Sequence, residues 1–286
     1  MTLSLPNLRQ MGVINLTPNS FSDGNQNLDS HSINESLLYW NKAADCILDF
    51  GAESTAPLNE AVQAEEEWSR YERYLLPLLN SSELLNYSAI SLDSYRPETI
   101  RRLMPKLQEN YKGVIIWNDV SGLIDLETIS VLEEYPKLHY ILCHNWASRR
   151  SDVQKHMEFC RPLSNELFLE AMIDWFHFQL KKIPVPFHQR LWLDPCFGFA
   201  KNLEQNLFLF DSYEKFFQTF ADYTHVIGIS RKSFMRHSLF LEHPESRSLA
   251  REALNLKLDE LQKIWLRNLC QRVPASSLII RTHRSL

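Results

Sequence analysis

Short, densely apolar runs alternate along this chain with longer stretches whose apolar residues recur three and four positions apart. Runs that end in polar or glycine-containing turns predict strands at 11–15, 46–53, 89–93, 114–118, 140–144, 191–194, 225–230 and 277–283. Between them, helical periodicity predicts helices at 34–45, 60–79, 97–107, 126–134, 152–182, 203–220 and 246–271. No linker, low-complexity tract or charge block interrupts the alternation, so residues 1–286 are expected to form one α/β domain. Strands joined by helical crossovers must run parallel, and a parallel sheet covered on both sides closes into a (β/α)8 TIM barrel. Function then belongs at the C-terminal ends of the strands.

Those ends carry the chain's most chemically capable residues: Asn15, Glu53, Asp93, Asn118, Asp194, Arg231 with Lys232, and Arg281 with His283. Only seven glycines occur, yet Gly24, Gly51, Gly122, Gly198 and Gly228 lie in or beside the same segments, where tight backbone is needed. The densest stretch is NLTPNSFSDG at 15–24, a strand that empties into turn formers and hydroxyls. The amide oxygen of Asn15 suits a hard cation, and the carboxylate of Asp23 suits a donor-rich group. The same stretch also reads as an ordinary surface turn, and taken alone it decides nothing.

Composition narrows the class. With 44% hydrophobic residues the chain can bury a large core, and its net charge of −5 supplies no basic excess for a nucleic-acid backbone. Five cysteines, odd in number and without a CxxC pair, suggest free thiols in a reducing cytoplasm. No apolar run reaches membrane-spanning length, and no membrane partner is expected. The ten histidines contain no HExxH, so none is assigned to zinc, and Cys196 reads as the filler of a turn. Leu254, Leu258, Leu261, Trp265 and Leu269 form a stripe that reads as a buried helix face, with a dimer seam as the less economical alternative.

Taken together, NLTPNSFSDG (15–24), GAESTAP (51–57), SLDSYR (91–96), NDVSG (118–122), LDPCFGFAKN (193–202), GISRKSF (228–234) and RTH (281–283) resemble the dihydropteroate synthase family in order and spacing. The resemblance runs from Met11 to His283. It implies condensation of 6-hydroxymethyl-7,8-dihydropterin pyrophosphate with para-aminobenzoate, with Mg2+ on the pyrophosphate. It places Asp93, Asn118 and Asp194 on the pterin with Lys232 beside them, Asn15 on Mg2+, and Arg281, His283 and Thr55 on pyrophosphate. Asp23 would close over the site. Phe21 and Phe199 would wall the benzoate, whose carboxylate Ser233 and Lys232 would meet. Lys201, by contrast, is expected only to lead into a helix. A homodimer through the last helices is also implied.

Several positions depart from the family pattern. Ala56 and Asn59 stand where arginine and glycine are usual, Asn19 where aspartate is, and Cys196 where glycine is. YILCHNWA at 140–147 only loosely resembles the fifth-strand motif, and the chain ends three residues after His283, so the final helix is expected to be lacking. A second reading therefore stands beside the enzyme: a pterin-binding paralogue with weak or no condensing activity. A methyltetrahydrofolate-binding methyltransferase domain shares the barrel but is not expected to carry both SFSDG and SRKSF.

Overall fold

The structure is a computed structural model that describes residues 8–17, 30–43, 45–54 and 61–286. Eight parallel strands close in sequence order: β1 Arg9–Asn15, β2 Ile47–Gly51, β3 Ala89–Asp93, β4 Val114–Asp119, β5 His139–Cys143, β6 Leu191–Asp194, β7 Thr224–Ile227 and β8 Leu278–Thr282. Around them run α1 Ser30–Trp40, α2 Ala64–Tyr74, α3 Ser82–Leu85, α4 Pro97–Asn110, α5 Leu126–Glu134, α6 Asn165–Leu180, α7 Leu203–Thr219, α8 Ser233–Glu242 and α9 Arg251–Leu269. The expected (β/α)8 barrel is the observed fold.

Helix boundaries differ from expectation where proline intervenes. The stretch expected as one helix over 152–182 is a 3-10 segment, Arg150–Phe159, followed by irregular backbone that contains Pro162 and then α6. Proline has no N–H to give and its ring clashes with the preceding turn. Pro77 likewise opens the 3-10 segment Leu76–Asn80 that follows α2. Periodicity predicts no helix around 233–242, yet α8 forms there and buries Phe234, Met235 and Leu239. A stretch this short offers too few turns for its period to stand out.

Because strand side chains alternate, each strand feeds two cores. Met11, Ile47, Ala89, Ile116, Ile141, Val226 and Ile279 pack inside the barrel. Leu48, Phe50, Ile90, Leu92, Trp117, Tyr140, Leu193, Ile227 and Ile280 face outward into the larger core under the helices. Each such fully buried aliphatic side chain contributes about 1.5–3 kcal/mol. Leu258, Trp265 and Leu269 belong to that outer core, with Leu254 and Leu261 packed against it. Leu258, Trp265 and Leu269 thus form a buried helix face on α9, with Leu254 and Leu261 partly covered beside it.

Polar locks hold the mouth. Arg96 bonds Glu53 at 2.5 Å and lies 3.3 Å from Glu67. Arg150 bonds Asp119 at 2.9 Å and the carbonyl of Tyr95 at 2.7 Å, while Tyr140 donates to Asp119 at 3.0 Å. Glu53 is therefore occupied structurally, as is Arg231, which pairs with Asp259 at 3.5 Å. The most weakly registered seam is β6 with β7, which pair through Trp192 with Thr224 and Leu193 with His225.

Gly12 lets α1 close on β1: a β-carbon there would lie 2.3 Å from the buried Trp40 ring. Gly12→Ala should therefore lower stability by about 1–3 kcal/mol through overpacking, read as a fall in the thermal midpoint. An unchanged midpoint would show that the Trp40 ring yields without cost.

Candidate active site

The inner-face alternation that builds the apolar layer also delivers a polar layer above it. Along β2 the inward positions run Ile47, Asp49, Gly51, and along β3 they run Ala89, Ser91, Asp93. Asn15, Gly51, Asp93 and Asn118 occupy one registered row across β1 to β4 at the C-terminal mouth. From β8, Arg281 reaches across the barrel. Its Nε bonds Asp49 Oδ2 and its Nη2 bonds Asp93 Oδ2, both at 2.6 Å.

Burial pushes the Asp93 carboxyl up to about 7, Arg281 pulling it down and Asp49 pushing it further up. A carboxyl in that range switches easily between accepting and donating hydrogen bonds. On the opposite side, Asn118 Oδ1 accepts from the Cys143 thiol at 3.3 Å, and Asp194 Oδ1 accepts from the Cys196 amide at 2.7 Å. Burial raises Asp194 too, and the ammonium of Lys232 is the strongest influence holding it down. Lys232 donates to the Phe197 carbonyl and lies 5.3 Å from the centre of the Phe199 ring. Phe199 stacks on His156 at 4.3 Å. One end of the barrel thus gathers three carboxylates, an amide, a guanidinium and an ammonium around a partly apolar wall.

Residues 11–258 match the pterin binding enzyme family. The chain belongs to that family. Dihydropteroate synthase of Streptococcus pyogenes is 31% identical over 78% of this chain and 74% of its own length. The crystal structure of dihydropteroate synthase from Anaplasma phagocytophilum, with bound 6-hydroxymethylpterin-monophosphate, covers 97% of this chain and 94% of that one at TM-score 0.71 and 20% identity. That of Xanthomonas albilineans with 4-aminobenzoic acid covers 96% and 87% at TM-score 0.65 and 23% identity.

In this pterin-binding enzyme the residues expected from sequence divide three ways. Asp93, Asn118, Asp194, Arg281 and Lys232 come together at the mouth through the contacts above. Asn15 ends β1 in the same row, Phe199 is half-buried beside Lys232, and the exposed Ser233 opens α8. His283 follows β8, its Nδ1 3.3 Å from Ser230 Oγ. Phe21, Asp23 and Thr55 lie outside the described residues, as does Ala56.

Lys201 corrects the expectation. It is buried, with Nζ 2.9 Å from His144 Nδ1 and donating to the carbonyls of Cys196 and Phe199 at 3.0 Å each. Burial lowers its ammonium to about 8. Nothing in the run FAKN shows this, because the left-handed backbone at Ala200 that turns the lysine inward is not a feature of composition. Asp49 is a second residue that strand-end position does not single out. Its signal was available: a carboxylate in an apolar strand, two residues from both Ile47 and Gly51, must share their inward face.

Burial first, then the charges of Arg281, Arg231 and Lys232, hold the His283 imidazole down to about 3, and burial holds His225 down to about 4. Unfolding returns both toward the ordinary 6.5. The unfolded chain therefore binds more protons between those limits, and the stability these histidines contribute is present above 6.5 and lost as pH falls through 4 toward 3. Asp93 acts with the opposite sign, losing its contribution as pH rises through 7, so bulk stability mixes the two. Imidazole NMR separates them: both rings should remain neutral at pH 5, and a His283 titration near 6 would contradict its placement.

Proposed function

We propose that the chain is a dihydropteroate synthase, joining 6-hydroxymethyl-7,8-dihydropterin pyrophosphate to para-aminobenzoate and releasing 7,8-dihydropteroate and pyrophosphate. The observation that carries this is the meeting of Asp93, Asn118 and Asp194 with Arg281 and Lys232 at one barrel mouth in a member of this family. A pterin edge alternates donors and acceptors. Two carboxyls raised by burial, an amide and an ammonium can complement it far more selectively than apolar contacts.

In the reaction the methylene C–O bond breaks, the pterin spreads the positive charge, and the aniline nitrogen adds to the methylene and loses a proton. Charge separation sets the barrier, so fixed charges lower it. Arg281 uses Nε and one Nη2 proton on Asp49 and Asp93, which leaves three of its five N–H groups for pyrophosphate oxygens. His283, neutral beside these cations, offers an N–H and can accept a proton once an anion replaces the repulsion. Thr55 adds a hydroxyl, and Asp23 closes over the bound pterin. Phe199 and Phe21 flank the benzoate, with Ser233 and Lys232 meeting its carboxylate.

Mg2+ suits the donor set. Asn15 supplies one hard neutral oxygen at the mouth, and Mg2+ commonly takes few protein ligands while keeping waters and phosphate oxygens. Bound there with Asn15 as its protein ligand, it would neutralise pyrophosphate charge.

No helix among the described residues is long and apolar enough to cross a membrane. We place the enzyme in the cytoplasm, in keeping with its five free thiols. The acidic net charge disfavours a nucleic-acid partner. A homodimer is supported by the exposed Leu241 of α8 and Leu256 and Ile264 of α9, which offer apolar surface outside the buried stripe.

Mixing both substrates should release pyrophosphate. Tight binding of pterin pyrophosphate without release would favour the paralogue reading, for which the missing arginine at Ala56 is the specific argument. Lys232→Ala should raise the pterin dissociation constant roughly ten- to a hundredfold, the equivalent of one hydrogen bond to a charged group at about 1.5–3 kcal/mol. Lys201→Ala should mainly lower the thermal midpoint, since all three of its bonds stay within the protein. Equal pterin affinities in the two variants would remove the role given to Lys232.

A further inference from the structure

Cys196, which departs from the family pattern, meets a cysteine far from it in sequence. Cys143 ends β5 in register with Asp194, which ends β6, and Cys196 follows two residues later. The two sulfurs and a carboxylate oxygen of Asp194 all lie within 4.8 Å of one another, and all three residues are buried. Cys196 has φ +56°, the left-handed region that favours glycine, the residue usual at this position in the family. A side chain is thus held where the backbone disfavours one, beside a second thiol.

We propose that Cys143, Cys196 and Asp194 form a binding site for a thiophilic divalent cation of the Zn2+ type. Zinc–sulfur bonds of about 2.3 Å put tetrahedral ligand atoms about 3.8 Å apart, so closure needs movements on the order of an ångström. Two sulfurs select such an ion over Mg2+, which prefers oxygen. Each thiol releases its proton to water on ligation, so two thiolates and one carboxylate around a doubly charged ion leave one net negative charge. Lys201 and Lys232, whose charges both act on Asp194, balance it. Lys201 anchors the Cys196 carbonyl at 3.0 Å, while Asn118, whose Oδ1 accepts from the Cys143 thiol at 3.3 Å, must turn its NH2 toward the sulfur once the thiol is deprotonated. Three protein ligands leave a fourth position for water.

Asp194 is also the residue assigned to the pterin, so metal and pterin should exclude each other. That clause rests on the function proposed above; the metal site itself does not.

The test uses reduced, chelator-stripped protein titrated with Co2+ as the probe. The expected result is a thiolate-to-cobalt charge-transfer absorption that saturates at one ion per chain and is displaced by Zn2+. Cys143→Ser and Cys196→Gly should each abolish it. The glycine variant relieves the left-handed backbone and so tests the ligand without threatening the fold. Absence of the band, or its survival in both variants through Cys46, Cys160 or Cys270, overturns the site. Pterin pyrophosphate, with binding measured on the same sample, should erase the band; a band that persists at saturating pterin overturns the exclusion. Pyrophosphate release in the presence of chelator reports the synthase reading separately. An active enzyme without a cobalt band sinks only the metal site, and a cobalt band in a protein that neither binds pterin nor releases pyrophosphate sinks only the synthase reading.

Discussion

A guanidinium held inside a barrel between two carboxylates is the constraint on which the site depends. Arg281 would be costly to bury alone, and Asp49 and Asp93 would repel each other without it. Their mutual compensation fixes the inner faces of β2, β3 and β8 relative to one another. It also leaves a surplus: one carboxyl is raised toward neutrality and part of the guanidinium fork is uncommitted. On the function proposed above, the groups that hold this mouth together are also the groups the substrate would engage, through the donors their internal pairing leaves over.

The mouth is also rigid for a separate reason. Glu53 with Arg96, and Asp119 with Arg150 and Tyr140, lock the connections that follow β2 to β5. These pairs sit beside the polar inner layer but not in it. They therefore explain how several strand ends can carry charged residues while only some of them face the pocket.

The fold was legible because a barrel repeats one pattern, and each of the eight apolar runs appears within a few residues of its strand. Asp93, Asn118, Asp194 and Arg281 were legible for the same reason: they stand at strand ends, where topology determines their meeting. Lys201 was not, since its inward turn depends on left-handed backbone at Ala200 and on carbonyls supplied by Cys196 and Phe199. The convergence of Cys143 and Cys196 was hidden too. It requires knowing that β5 and β6 are neighbours in a register that sets Cys143 opposite Asp194. Strand-end position can be read from one segment, whereas register needs two.

The short β6–β7 seam separates Asp194 from Lys232, with the fewest registered pairs of any junction in the barrel. In a closed ring the sheet has no free edge, so a fluctuation that opens it must break one junction, and the least paired junction resists least. A molecule held jointly by Asp194 and Lys232 would act as a rivet across that junction. Ligand occupancy then becomes a mechanical matter for the whole ring: filling the pocket closes the place where the barrel is easiest to pry apart.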